Sequence, residues 1–123
     1  MGPVPATVSV TLQAGRPHFA RSRYHAPAGQ AFTLKITHSL FSTTGKPLWV
    51  TLLISPSDNP AIAPVPGRPG FGIIDPGHAS FVAPRVTAPG TGVFTVSALA
   101  AGTYFMQIME AWGRESSAAL IVR

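Results

Sequence analysis

Residues 8–12 alternate Val8, Val10 and Leu12 against Ser9 and Thr11, and residues 32–37 alternate Phe32, Leu34 and Ile36 against Thr33, Lys35 and Thr37. A period of two puts the apolar set on one face of a strand, so both segments read as half-buried strands. Residues 48–54 are nearly all apolar or β-branched. That run predicts a central strand covered on both faces, with Trp49 needing a partner for its indole N–H. Further strands are predicted at 79–82, 93–97, 103–109 and 118–122, about seven in all. Gly and Pro punctuate the runs throughout, which predicts an antiparallel β-sandwich or barrel. Residues 55–76 differ, with prolines at 56, 60, 64, 66, 69 and 76 and glycines at 67, 70 and 72. Proline cannot donate to a ladder, so this segment is excluded as a central strand. Its apolar residues Ile62, Val65, Phe71, Ile73 and Ile74 predict an ordered loop pinned to the sandwich.

Composition narrows the picture. A chain of 123 residues suits one domain, 1–123, and 46% hydrophobic against 11% charged residues is too apolar for disorder. Twelve glycines and 13 prolines disfavour long helices. The absence of cysteine excludes disulfides, zinc fingers, thiol nucleophiles and thiolate-bound copper. The longest uncharged stretch, 86–109, contains Pro89, Gly90, Gly92, Gly102 and Gln107, so it reads as strands and turns, and no transmembrane segment is expected. Residues 1–5 have neither the basic start nor the apolar run of a secretory signal, so an exported protein of this sequence would be a processed form. The net charge of +5 comes mainly from seven scattered arginines, with a local basic cluster only at 16–23. Nucleic acid would call for a denser basic patch with aromatics, and none is expected as a partner. An acidic partner or surface would be attracted.

Several motifs fall in a recognisable order. Ala26-Pro27-Ala28-Gly29 leads into the alternating strand from Phe32, Ala88-Pro89-Gly90 forms a turn, Gly102-Thr103-Tyr104 opens a strand, and Leu120-Ile121-Val122 closes the chain. In this order and spacing the sequence resembles the cupredoxins, with 55–76 as an insertion. The resemblance implies an all-β Greek-key sandwich, usually built around blue copper. It places the copper cysteine at Ile108, the two histidines at Leu48 and Ala111, and the methionine at Ser116. Such a site needs a thiolate and two imidazoles, and isoleucine, leucine and alanine carry no lone pair. The expectation is therefore a cupredoxin-like fold without type 1 copper or other cofactor, in which Leu48 and Ile108 pack where the metal would sit.

Other chemistry finds little support. His18, His25, His38 and His78 show no ligand spacing; the alternative of a copper or zinc protein using His18 and His78, with Asp75 and a methionine such as Met106, stays open. Only four carboxylates exist, Glu110 and Glu115 flanking a presumed loop, and no Gly-x-Ser-x-Gly elbow or phosphate loop is present. No enzyme is expected. The segment 109–114 corresponds to the loop that forms the docking face of cupredoxins, and it offers Met109, Trp112 and Arg114. Arg21, Arg23 and Tyr24 make a second candidate contact. The resemblance thus implies a binding or structural module, an accessory subunit on the periplasmic or extracellular side of a membrane electron-transfer or photosynthetic complex. An immunoglobulin-like adhesion or carbohydrate-binding domain is the remaining alternative.

Overall fold

Alternation in the sequence becomes two facing sheets. The computed structural model describes residues 6–13 and 18–123; the features at 1–5 and at Arg16 lie outside the described residues. The strands are β1 (Thr7–Leu12), β2 (Arg23–Ala26), β3 (Phe32–His38), β4 (Trp49–Pro56), β5 (Ile62–Val65), β6 (Arg68–Ile74), β7 (Phe81–Val82), β8 (Val86–Thr87), β9 (Gly90–Val96), β10 (Gly102–Glu110) and β11 (Glu115–Val122), with one 3-10 turn at Pro76–His78. One sheet has the order β1-β3-β9, and the other runs β2-β11-β10-β4-β7 with β8 also on β4. Most pairs are antiparallel, as the sequence predicted for the sandwich, but two, β1 with β3 and β2 with β11, are parallel. The reason is topological: the chain leaves the first sheet for β2 and returns for β3, so sheet neighbours are not consecutive in sequence.

The core lies between the sheets. Val8, Val10, Phe32, Leu34 and Ile36 from one side meet Val50, Leu52, Ile54, Met106, Ile108 and Leu120 from the other. Burying each of the larger side chains removes about 1.5–3 kcal/mol worth of apolar surface from water. Strand β4 is central, as its apolar run predicted, between β10 on one side and β7 and β8 on the other. Its second face is also covered, because Leu53 packs with Met109, Ala61 and Ile62 in a separate apolar cluster. Trp49 at its start is half-buried and carries the Arg85 guanidinium 3.8 Å from its ring centroid, a cation–π contact.

The covering element is the Pro-rich segment, which is a β-hairpin rather than an irregular loop. Strands β5 and β6 pair antiparallel from Ile62 opposite Ile74, with a register shift at Pro64/Val65. Pro66-Gly67 connects them, and the positive φ of Gly67, 74°, suits the second central position of a type II turn. Each strand of this two-stranded sheet has one edge outside the ladder, where prolines are tolerated, and β6 uses its own to donate the Gly72 N–H to the Gly113 carbonyl at 3.0 Å. The hairpin is fixed to the sandwich by Gln107, an outward residue of β10. Its Oε1 accepts the N–H groups of Ala61 and Ile62, both at 3.0 Å, and its Nε2 donates to the Ile62 carbonyl at 3.2 Å.

Candidate functional site

The connection after β10 decides the chemistry of the adjoining end of the sandwich. Strands β10 and β11 pair without interruption up to Met109 opposite Glu115, leaving only residues 111–114 as a turn. Gly113 supplies the left-handed conformation (φ 85°) that closes it. Glu110 holds the turn together: its Oε1 accepts the N–H of Trp112 at 3.0 Å and of Arg114 at 2.8 Å, while its own N–H donates to the Arg114 carbonyl at 3.0 Å. Its side chain is only 4% exposed, and two charge-assisted hydrogen bonds offset the cost of burying an anion.

This hairpin carries three of the four positions that the resemblance assigns to copper. Ile108 is fully buried in the main core and stands directly across the ladder from Ser116. Ala111 lies exposed in the turn. Leu48 is half-buried and packs against the core cluster that contains Ile108. The Ser116 hydroxyl accepts the His18 backbone N–H at 3.2 Å. With hydrocarbon at three positions and an engaged hydroxyl at the fourth, the residues do not fit a blue copper centre.

Beside the turn opens a cleft of about 260 Å³, walled by Leu40, Phe41, Leu48 and Trp112 and containing the buried polar groups His18 and Glu110. Phe41 and Trp112 are 45% and 65% exposed. The chain returns from β3 into this wall through a short loop, where Phe41 bridges to Pro47 and the Leu48 N–H donates to the Leu40 carbonyl at 2.9 Å. His18 is 7% exposed; its Nδ1 lies 2.9 Å from the Gln13 carbonyl, and its Nε2 is buried with no partner among the described residues. Neither this cleft nor the role of Glu110 was visible in the sequence, since both depend on the register of the β10–β11 ladder.

The other histidines are accounted for separately. His38 is a satisfied core residue, with Nε2 2.7 Å from the Val86 carbonyl and Nδ1 accepting the Leu40 N–H at 3.2 Å. His78 is exposed, 3.3 Å from the carboxylate of Asp75, which caps the start of the 3-10 turn, and its Nδ1 lies 3.2 Å from the Pro60 carbonyl. The structure therefore joins His78 to Asp75 and gives His18 different partners. Among the described residues no three His, Asp or Glu side chains gather as a metal-binding group. Met106 is core filler.

Of the six candidate contact residues, Arg21, Arg23, Trp112 and Arg114 are exposed and two are interior. Met109 lies beneath the β5–β6 hairpin, facing away from the main core as strand alternation requires. Tyr24 packs edge-on against Phe19, with ring centroids 6.3 Å apart, and its hydroxyl accepts the Arg21 N–H at 3.3 Å. Burial raises its phenol above the ordinary value, with the Arg21 N–H and charge pulling the other way. The alternation of buried Tyr24 and Ala26 with exposed Arg23 and His25 is the sequence signal that would have placed it inside.

Two sheets with this strand order and this set of connections form a cupredoxin-like β-sandwich. Solved structures of auracyanins share it: auracyanin from Roseiflexus castenholzii, in dithionite-reduced form, at TM-score 0.63 and 17% identity over 98% of this chain and 99% of that one; auracyanin A, a blue copper protein from Chloroflexus aurantiacus, at 0.63 and 17% over 98% and 100%; and auracyanin B at 0.59 and 19% over 100% and 93%. No family model matches the chain, and no curated protein does. Among the described residues, no helix is long and apolar enough to cross a membrane.

Proposed function

We propose that this chain is a copper-free cupredoxin-like binding module, an accessory subunit that docks through its turn end on the periplasmic or extracellular face of a membrane electron-transfer or photosynthetic complex. The observation that carries this reading is the tight β10–β11 turn, which leaves no ligand for copper and displays Trp112 instead. Trp112 and Phe41 lie around one cleft, with Arg114 in the same lining. Aromatic side chains and arginine are the types enriched in interface centres. A net charge of +5 favours an acidic partner surface. The photosynthetic sources named for two of the similar structures support the membrane context.

Cross-linking mass spectrometry on native membranes tests the reading. Lysine-directed reagents report on Lys46, in the loop beside Phe41, and arginine-directed reagents on Arg21 and Arg23. Reproducible links from Lys46 to subunits of one membrane complex are expected; a chain without neighbours would overturn the docking role.

A further inference from the structure

We propose that the cleft beside His18 binds a neutral, planar, apolar molecule that carries a hydroxyl donor, a phenol in chemical class. The Gln13 carbonyl can only accept, so His18 Nδ1 carries the ring proton and donates across 2.9 Å. In the neutral ring Nε2 is then a bare lone pair, buried and without a partner among the described residues. A buried acceptor left unsatisfied is destabilising, and a ligand that donates to it recovers that loss.

The rest of the cleft selects among donors. An anion would bring an acceptor to face an acceptor. Arg114 and the basic chain disfavour a cation. Metal is disfavoured because, among the described residues, no three His, Asp or Glu side chains gather here, and the Glu110 Oε1 of the same lining already accepts two backbone N–H groups. What remains is a neutral donor on an apolar body, and Leu40, Leu48, Phe41 and Trp112 provide apolar and aromatic walls. A volume of about 260 Å³ exceeds what one aromatic ring requires. His18 belongs to the lining but its Nε2 is buried, so binding requires the lining to open at that atom; Trp112 and Phe41 are the two exposed large apolar residues there.

The test is a titration of the ¹⁵N-labelled full chain with p-cresol and, separately, toluene, followed through the imidazole nitrogens of His18. p-Cresol is expected to move the Nε2 resonance saturably and to bind about tenfold more tightly than toluene, the worth of one hydrogen bond to a buried acceptor. His18→Phe removes that preference. Leu48→Trp, which fills the cleft and keeps the imidazole, abolishes binding and serves if the first variant fails to fold. Equal affinity for the two probes, an unmoved Nε2 at saturating p-cresol, or saturation of Nε2 by micromolar Zn(II) would each overturn the assignment. The outcome is independent of docking, since membrane cross-links can be absent while the isolated chain still binds p-cresol.

Discussion

Glu110 shows how one side chain can determine the form of a whole loop. Its Oε1 satisfies two N–H groups of a turn that would otherwise present unpaired donors at a half-buried site. Glu110→Ala is expected to cost about 2–4 kcal/mol in urea denaturation, while Glu110→Gln, which keeps an accepting oxygen, costs less. Tyr24 offers a second test, through pH. Burial raises its phenol above 10.0, so the folded chain holds that proton more tightly than the unfolded chain. The contribution is fully present below the ordinary phenol value and is lost as pH rises from there through the higher folded value. Tyr24→Phe is expected to lose about 1 kcal/mol at neutral pH with the Arg21 hydrogen bond, and to flatten this part of the alkaline fall. Denaturation midpoints across the alkaline range, compared with the parent chain, would show it; an identical alkaline slope would place the titration elsewhere.

At the level of elements, the β5–β6 hairpin is held to the sandwich by few groups and is the part most easily released. Gln107→Leu removes the acceptor of two backbone donors and strands the Ile62 carbonyl, leaving the Ser55 hydroxyl, 3.2 Å from the Ala61 N–H, and the Gly72 N–H, which donates to the Gly113 carbonyl at 3.0 Å. A loss of about 2–4 kcal/mol is expected, with hydrogen exchange accelerated in β5 and β6 and unchanged in β1, β3 and β9. Uniform acceleration would mean that the hairpin and the sandwich unfold as one unit. This element also marks the limit of what the sequence revealed. Strands such as β1, β3 and β4 were legible because burial on one or both faces imposes a period of two or an unbroken apolar run. The hairpin was hidden because its prolines veto a central strand while permitting an edge, and only Pro66-Gly67 marked its turn. Strand β2 was hidden for another reason: with four residues, two of them buried, its pattern is too short to read, and its pairing with β11 is purely tertiary.

On the scale of the whole molecule, the turn end carries a hydrogen-bonded hairpin and an exposed tryptophan where the cupredoxin resemblance assigns copper ligands. If that face docks as proposed, Trp112→Ala should weaken association by at least about 30-fold, the effect of losing a central aromatic anchor, whereas Arg23→Ala on β2 should change it little. Co-purification from membranes measures both. The same geometry predicts that ligand identity alone will not restore a copper protein. Leu48→His, Ile108→Cys, Ala111→His and Ser116→Met together supply every missing donor atom. They do not undo the ladder that holds positions 108 and 116 as opposed residues and confines position 111 to an exposed turn. Blue copper requires a thiolate and two imidazoles to converge on one point in a trigonal arrangement, and here one of the three stands in solvent. The quadruple variant is therefore expected to bind copper without intense thiolate-to-copper visible absorption. Deep blue colour on adding Cu(II) would show instead that the Glu110-stitched turn yields to the metal, and that only the side chains keep this end from binding blue copper.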